Sequence, residues 1–246
     1  MFLTINFGKM KSKFLIGIGL LVLFGLAAFV IHQSFHLEEV PVFSETESPI
    51  LIIDAGHGGT DGGAVSETGT KESEINLAIA QKMEALTKLL GIEAVMTRDT
   101  EELEYPEEAD TIRKKKVYDQ KHRVEQINDM QNAVLISVHQ NMYPNSKPRG
   151  PQVLYAATET SDSFAVMTQQ NLLSVLPDNI RTASQIDDSI YLMKNIHCPA
   201  ILVECGFLSN PDDEFLLKTE EYQRKLSLIL ICSYLQYQDT CRAAAD

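Results

Sequence analysis

Four residues stand out for the chemistry they could do together: His57, Glu72, His139 and Glu204. Two imidazoles and a carboxylate are a common ligand set for catalytic zinc, whereas calcium and magnesium favour all-oxygen shells. A three-ligand site keeps one position open for water or a substrate carbonyl. A second carboxylate beside it can take the water's proton and pass it to a leaving nitrogen. Together these make a metal-assisted amide hydrolysis. Each residue alone has a plainer reading. A single histidine after a strand is more often structural or exposed than a ligand. Glu72 could serve only the dipole of a helix it opens, and Glu74 competes with it for any ligand role. Glu204 is harder to set aside, because a carboxylate closing an apolar strand has to be paired or functional. His122 and His197 follow no apolar strand and read as ordinary residues.

The elements that must position these four are visible as apolar patterns. Pro49–Asp54, Ala133–Val138 and Ala200–Val203 are short runs rich in β-branched residues, the mark of buried parallel strands. The first breaks into Gly56-His57-Gly58-Gly59, the second is closed by His139 and the third by Glu204. Ile75, Ile79, Met83, Leu86 and Leu90 recur at helical spacing, which predicts a helix over 72–90, with Thr70 or Ser73 as cap and Gly91 as its end. A strand over 92–97 completes a βαβ unit, hence a parallel sheet with a right-handed crossover. Ligands bind outside the C-terminal strand edge of such sheets. All three closing residues lie on that edge, as does the start of the 72–90 helix.

The remainder reads as follows. Residues 99–116 form an irregular charged stretch, acidic from Glu101 to Asp110 and basic over Arg113–Lys116; it reads as a solvated loop and helix start, with room for a regulatory or partner surface. Helices are expected from Val117 to Met130, from Ser161 to a stop at Pro177 and over 219–237. Strands are expected over 150–157 and at Ser189–Met193. The fold class is α/β: a single three-layer domain with a mostly parallel twisted sheet flanked by helices, preceded by an N-terminal transmembrane segment.

That segment is Phe14–Ile31, 18 uncharged residues after Lys9, Lys11 and Lys13. It reads as an anchor, with a cleaved signal peptide as the rival, and the lysines place the N-terminus inside and the main domain outside. The layout is a basic tail (1–13), the anchor (14–31), a linker (32–48), a catalytic domain (49–240) and a short tail (241–246). The net charge of −13 argues against nucleic acid as a partner. Cys198, Cys205, Cys232 and Cys241 contain no Cys-x-x-Cys pair. They read as three buried thiols and a tail cysteine, with a disulfide from Cys241 as the alternative in an oxidising compartment.

Several of these residues fall in a wider pattern. Asp54-Ala-Gly-His-Gly-Gly59 is followed by Asp61 and Gly63, then Glu72 four residues before Asn76-Leu77. Thr97-Arg98, Arg123 with Asn128, Ser137-Val-His-Gln-Asn141 and Val203-Glu-Cys-Gly-Phe-Leu-Ser-Asn210 complete it. Over residues 50–237 the chain resembles the zinc-dependent N-acetylmuramoyl-L-alanine amidases of the amidase-3 type. The resemblance implies one zinc ion held by His57, Glu72 (in preference to Glu74) and His139, Glu204 as general base and acid, and Asn141 as a substrate contact. It implies hydrolysis of the amide between the lactyl group of N-acetylmuramic acid and L-alanine of the peptidoglycan stem peptide, with zinc polarising the lactyl carbonyl. Two departures are a longer 99–116 loop and Gln140 where a small residue is frequent. The anchor and single catalytic domain look similar to the family's sporulation members. This implies a role in spore-cortex synthesis leading to muramic-δ-lactam, with the forespore envelope as its place, and leaves room for an accessory protein regulating zinc retention or cleft access. A carboxypeptidase acting on wall peptides and a catalytically silent wall scaffold are the alternatives.

Overall fold

The computed structural model describes residues 48–176, 180–187 and 189–245. The basic tail, the expected anchor at 14–31 and all but the last residue of the linker lie outside them. Among the described residues no helix is long and apolar enough to cross a membrane.

The elements are β1 (Ile50–Ala55), α1 (Glu72–Leu90), β2 (Ala94–Met96), α2 (Ile112–Asn128), β3 (Ala133–Asn141), β4 (Gln152–Tyr155), α3 (Ser161–Val175), β5 (Ser184–Gln185), α4 (Tyr191–Asn195), β6 (Ala200–Phe207), α5 (Pro211–Leu217) and α6 (Glu220–Ala245). One sheet has the order β2-β1-β3-β6-β4-β5. The first four strands in that order run parallel, while β4 lies antiparallel to β6 and carries β5 parallel to itself. The sheet is therefore mixed.

Strand side chains alternate between faces. Leu51, Ile53, Val134, Ile136, Val138, Ile201 and Val203 join α1, α3 and α6 in the larger core. Ile52, Leu135, Leu202 and Leu154 face the other way and meet Ile127 of α2 and Leu192 and Met193 of α4 in a smaller one. Register then decides the site. Asp54 pairs with Ser137 and His139 with Glu204, so all four stand on the thinly covered face, one step beyond its apolar residues.

Several expectations are corrected. β3 and β6 do not stop at His139 and Glu204 but run on to Asn141 and Phe207, because the two strands keep pairing beyond them through a register shift. Neither Thr70 nor Ser73 caps α1. The cap position is Lys71, and the first helical N–H groups donate to Ala64 and Gly62 carbonyls instead. That leaves the hydroxyls of Thr70 and Ser73 for Glu214 and Glu101. The predicted strand at Ser189–Met193 is helix α4, since a short apolar run does not distinguish the two. The helix start expected within 99–116 does fall there, at Ile112 of α2, whereas α5 had no sequence counterpart. Helix α6 extends through 241–245, assigned above to a tail. Of the cysteines only Cys205 is buried; Cys198 is half-buried, Cys232 and Cys241 are exposed, and all four are free.

A buried ion pair ties the faces of β1 and α2. Arg123 Nη1 donates to Asp54 Oδ1 at 2.6 Å, and the same carboxylate accepts from Thr97 at 2.7 Å and Ser137 at 2.5 Å. Breaking such a pair leaves an uncompensated buried charge. Arg123→Met is expected to lower stability by about 3 kcal/mol or more, read from urea unfolding. Burial works to raise the Asp54 carboxyl, but Arg123 and Ser137 outweigh it and hold it at about 2. A folded value below the unfolded one stabilises the protein above the unfolded pKa, and the contribution is lost as pH falls toward 2. Asp54→Asn should remove roughly 2 kcal/mol of this acid-dependent stability, and denaturation midpoints from pH 5 down to 2 would measure it.

Candidate active site

The turn after β1 leaves the sheet's hydrogen-bond ladder while still enclosed by protein. Its carbonyls therefore need donors from elsewhere. Two arginines supply them. Arg98 donates to the carbonyls of Ala55 at 2.9 Å and Gly56 at 3.2 Å. Arg123 donates to those of Ala55 at 2.7 Å and His57 at 2.5 Å. His57 itself has φ +62°, a left-handed conformation that is costly without glycine. The Arg123 contact and a 2.9 Å bond from His57 Nδ1 to Asp61 fix it there.

The glycines do more than permit turning. A Cβ on Gly56 would lie 2.2 Å from His139 Nε2, and one on Gly63, at φ +68°, would lie 2.5 Å from Glu72 Oε2. The backbone passes too close to the site's side chains for any other residue.

Glu72 is buried at the first position of α1. Its Oε2 accepts from Ala64 N at 2.8 Å and lies 3.3 Å from His57 Nε2. Its Oε1 accepts from Gln140 N at 3.0 Å and meets His139 Nδ1 at 2.9 Å. Asn76, which donates to the Gly56 carbonyl and lies 3.5 Å from Glu72 Oε1, receives a bond from Gln140 Nε2. Burial works to raise the Glu72 carboxyl, but the two histidines drive it far below the usual carboxylate range. Burial likewise opposes the His57 imidazolium, and Asp61 and Glu72 overcome it to lift the ring to about 9. Ligand atoms of His57, Glu72 and His139 lie within 4.8 Å of one another, a group able to hold a metal ion. With Nδ1 committed to Asp61, His57 offers Nε2 to that group.

Glu204 stands across from His139 on β6. Its Oε2 is buried and has no hydrogen-bond partner. Burial pushes the carboxyl up to about 7, against the pull of His139. A buried acceptor without a donor is costly unless something else occupies its direction. All four residues line one cleft of about 500 Å³, together with the apolar Leu154, Leu202, Ile186 and Leu192 and with Asp119 and Arg123 of α2.

The other candidates lie elsewhere. Glu74 is exposed and pairs with Lys71 at 3.1 Å. His122 is exposed and stacked on Tyr118, and His197 is exposed. Asn141, at the end of β3, accepts from Leu208 N through its carbonyl and is not among the residues lining the cleft. The 99–111 stretch is less of a free loop than its charge suggested. Glu101 accepts from Gly59 N through its carbonyl and from Ser73 through its carboxylate, and Lys116 of α2 pairs with Asp61 at 3.1 Å. This stretch braces the His57 turn. Sequence reasoning found Arg98, Arg123 and Asp61 only as positions in a pattern. Their work, donating to carbonyls and orienting an imidazole, leaves no spacing signal.

Comparison with known proteins agrees with this geometry. The sequence profile of the amidase-3 family, described as N-acetylmuramoyl-L-alanine amidase, matches residues 51–230. A germination-specific N-acetylmuramoyl-L-alanine amidase of Bacillus subtilis is 34% identical over 191 residues, 76% of this chain and 79% of that protein. The structure of the CwlD amidase from Clostridioides difficile, in complex with the GerS lipoprotein, superposes with a TM-score of 0.74 at 35% identity, over 78% of this chain and 99% of that one. The catalytic domain of the amidase CwlV from Bacillus (Paenibacillus) polymyxa gives 0.66 at 25% identity, over 78% and 98%. A cleft that joins a two-histidine, one-carboxylate cluster to an unpartnered glutamate thus sits within the matched span, and the chain belongs to the N-acetylmuramoyl-L-alanine amidase family.

Proposed function

We propose that this enzyme hydrolyses, with one bound zinc ion, the amide between the lactyl group of N-acetylmuramic acid and L-alanine of the peptidoglycan stem peptide. The observation that carries the reading is the convergence of His57 Nε2, Glu72 and His139 Nδ1 beside the unpartnered Glu204 carboxylate. Two imidazole nitrogens and a carboxylate suit zinc better than calcium or magnesium. When bound, zinc supplies Lewis-acid polarisation of a carbonyl and a more acidic water. His57, Glu72 and His139 are the residues that would hold it. Asp61 keeps the proton on His57 Nδ1 and so leaves Nε2 as a donor. Glu204 takes a proton from the attacking water at its free Oε2 and returns it to the leaving nitrogen. Its raised pKa suits both halves of that exchange. Leu154 and Leu202 wall the cleft with apolar surface, which limits competing water.

We further propose that it acts on spore-cortex peptidoglycan, ahead of muramic-δ-lactam formation; the germination-specific relative and the likeness to the CwlD amidase support the germination role. The CwlD structure includes a lipoprotein partner, which supports an accessory protein for this chain too. We assign residues 49–240, with the rest of α6 to Ala245, to the catalytic domain, held by residues 14–31 on the extracytoplasmic side, and Asn141 to a substrate contact.

Purified muropeptides digested by the enzyme should release free stem peptide beginning with L-alanine; release of only a terminal D-alanine would overturn the reading. Glu204→Gln should lower the rate by about 10² to 10⁴ while zinc content, by atomic absorption, stays that of the parent. His57 is protonated below about 9, and zinc requires the neutral ring. Zinc binding should therefore release a proton and tighten as pH rises toward 9, seen by calorimetry in buffers of different ionisation enthalpy.

A further inference from the structure

Glu214 is buried in α5, far in sequence from the ligand cluster, and it has an unusual set of partners. One oxygen, Oε1, accepts from three hydroxyls of the same loop: Ser66 at 2.8 Å, Thr70 at 2.6 Å and Thr68. That loop joins His57 to Glu72. It contains Gly58, Gly59, Gly62, Gly63 and Gly69, so by composition it has much conformational freedom to lose. Its own hydrogen bonds are local: one tight turn between Gly58 and Asp61, with Gly63 N on the Asp61 carboxylate, and one hairpin closed by Ser66 N to Thr70 O, Gly69 N to Ser66 O and Thr70 N to Ser66 Oγ.

What the loop carries is more than a connection. Ala64 N donates to Glu72 Oε2 at 2.8 Å, and the Ala64 and Gly62 carbonyls receive the first two N–H groups of α1. The direction of the Glu72 carboxylate and the capping of its helix both depend on where residues 62–64 lie. The only charged group that grips 66–70 in the described structure is Glu214. Burial works to raise its carboxyl, but the Thr68 and Thr70 hydroxyls hold it at about 2, so it is an acceptor at any working pH. Its neighbour Asp213 accepts from Gly150 N at 2.8 Å and Phe207 N at 3.0 Å. Helix α5 is thereby fixed to the end of β6, the strand that carries Glu204.

We propose that Glu214 is a positioning residue for the metal centre: it latches the loop between His57 and Glu72 to the strand of Glu204, and so sets the geometry of Glu72. The inference rests on the zinc reading above. It makes the loop hydroxyls and Glu214 a determinant of metal affinity, with no contact of their own to metal or substrate.

The test is zinc affinity of the full chain, measured by competition with a chromophoric chelator, for the parent, Glu214→Ala, Glu214→Gln and the double variant Thr68→Val/Thr70→Val. Circular dichroism selects a temperature at which each is folded. Glu214→Ala should weaken zinc about tenfold or more, in the range seen when groups behind metal ligands are lost. Glu214→Gln keeps a carbonyl oxygen for the hydroxyls and should stay within about threefold of the parent. The double variant, which leaves Glu214 and its helix intact, should be weakened several-fold and stands in if Glu214→Ala does not fold. A merely structural role would lower Tm and leave the affinity of the folded variants unchanged, and that outcome overturns the proposal. A parent chain that binds no zinc overturns the zinc reading itself, so the two failures are separate.

Discussion

The constraint on which the site depends is the need to satisfy three carbonyls, those of Ala55, Gly56 and His57. They leave the sheet where β1 ends, yet Ala55 and Gly56 are buried and His57 is half-buried. Backbone acceptors enclosed without donors cost too much to persist. Arg98 and Arg123 answer that need, one from the segment after β2 and one from α2. Burying two guanidinium groups raises a second problem, since their charges also need partners. Asp54, Asp119 and Glu101 provide them. The left-handed histidine, helix α2 that carries Arg123 and the acidic stretch after β2 thus belong to one network.

Unequal cover of the two sheet faces turns that network into a site. The face under α1, α3 and α6 is packed with apolar side chains along the length of the strands. The opposite face is apolar only in its lower half, where α2 and α4 close it. Above that point its residues are Asp54, Ser137, His139 and Glu204, and all but Ser137 border the cleft. The depth of this position explains the character of Glu204. Low-dielectric surroundings disfavour its charge, and no donor reaches its Oε2. A carboxylate poised between charged and neutral is what proton exchange with water demands.

Strand parity makes the arrangement intolerant of small shifts. In a parallel pair a one-residue slip of β6 against β3 would turn Glu204 into the large core and bring Val203 or Cys205 to the cleft. The continuous apolar runs of both strands resist such a slip only weakly. The Asp54–Ser137 bond across β1 and β3 and the end of β6 held by Asp213 give the register specific polar anchors.

How much of this was readable in the chain follows from what kind of interaction each feature uses. Buried strands, the amphipathic helix over 72–90 and the gathering of His57, Glu72, His139 and Glu204 on one edge come from local periodicity and from the rule that ligands sit at C-terminal strand ends. Local pattern left Glu74 open beside Glu72, and only the family resemblance favoured Glu72; two residues along a helix is a turn of roughly 200°, and in the fold Glu74 points to solvent beside Lys71. By contrast, the donors to the 55–57 turn, the Asp61 contact to His57 and the Glu214 latch join residues far apart or of types that serve many purposes. Nothing in their spacing marks them. The same holds for the caps of α1, taken by loop carbonyls, and for the identity of α4 as helix. Short-range pattern determined which residues carry the chemistry; only the folded backbone decided which groups hold them in place, because burial of a polar atom creates a demand that any donor in reach can meet.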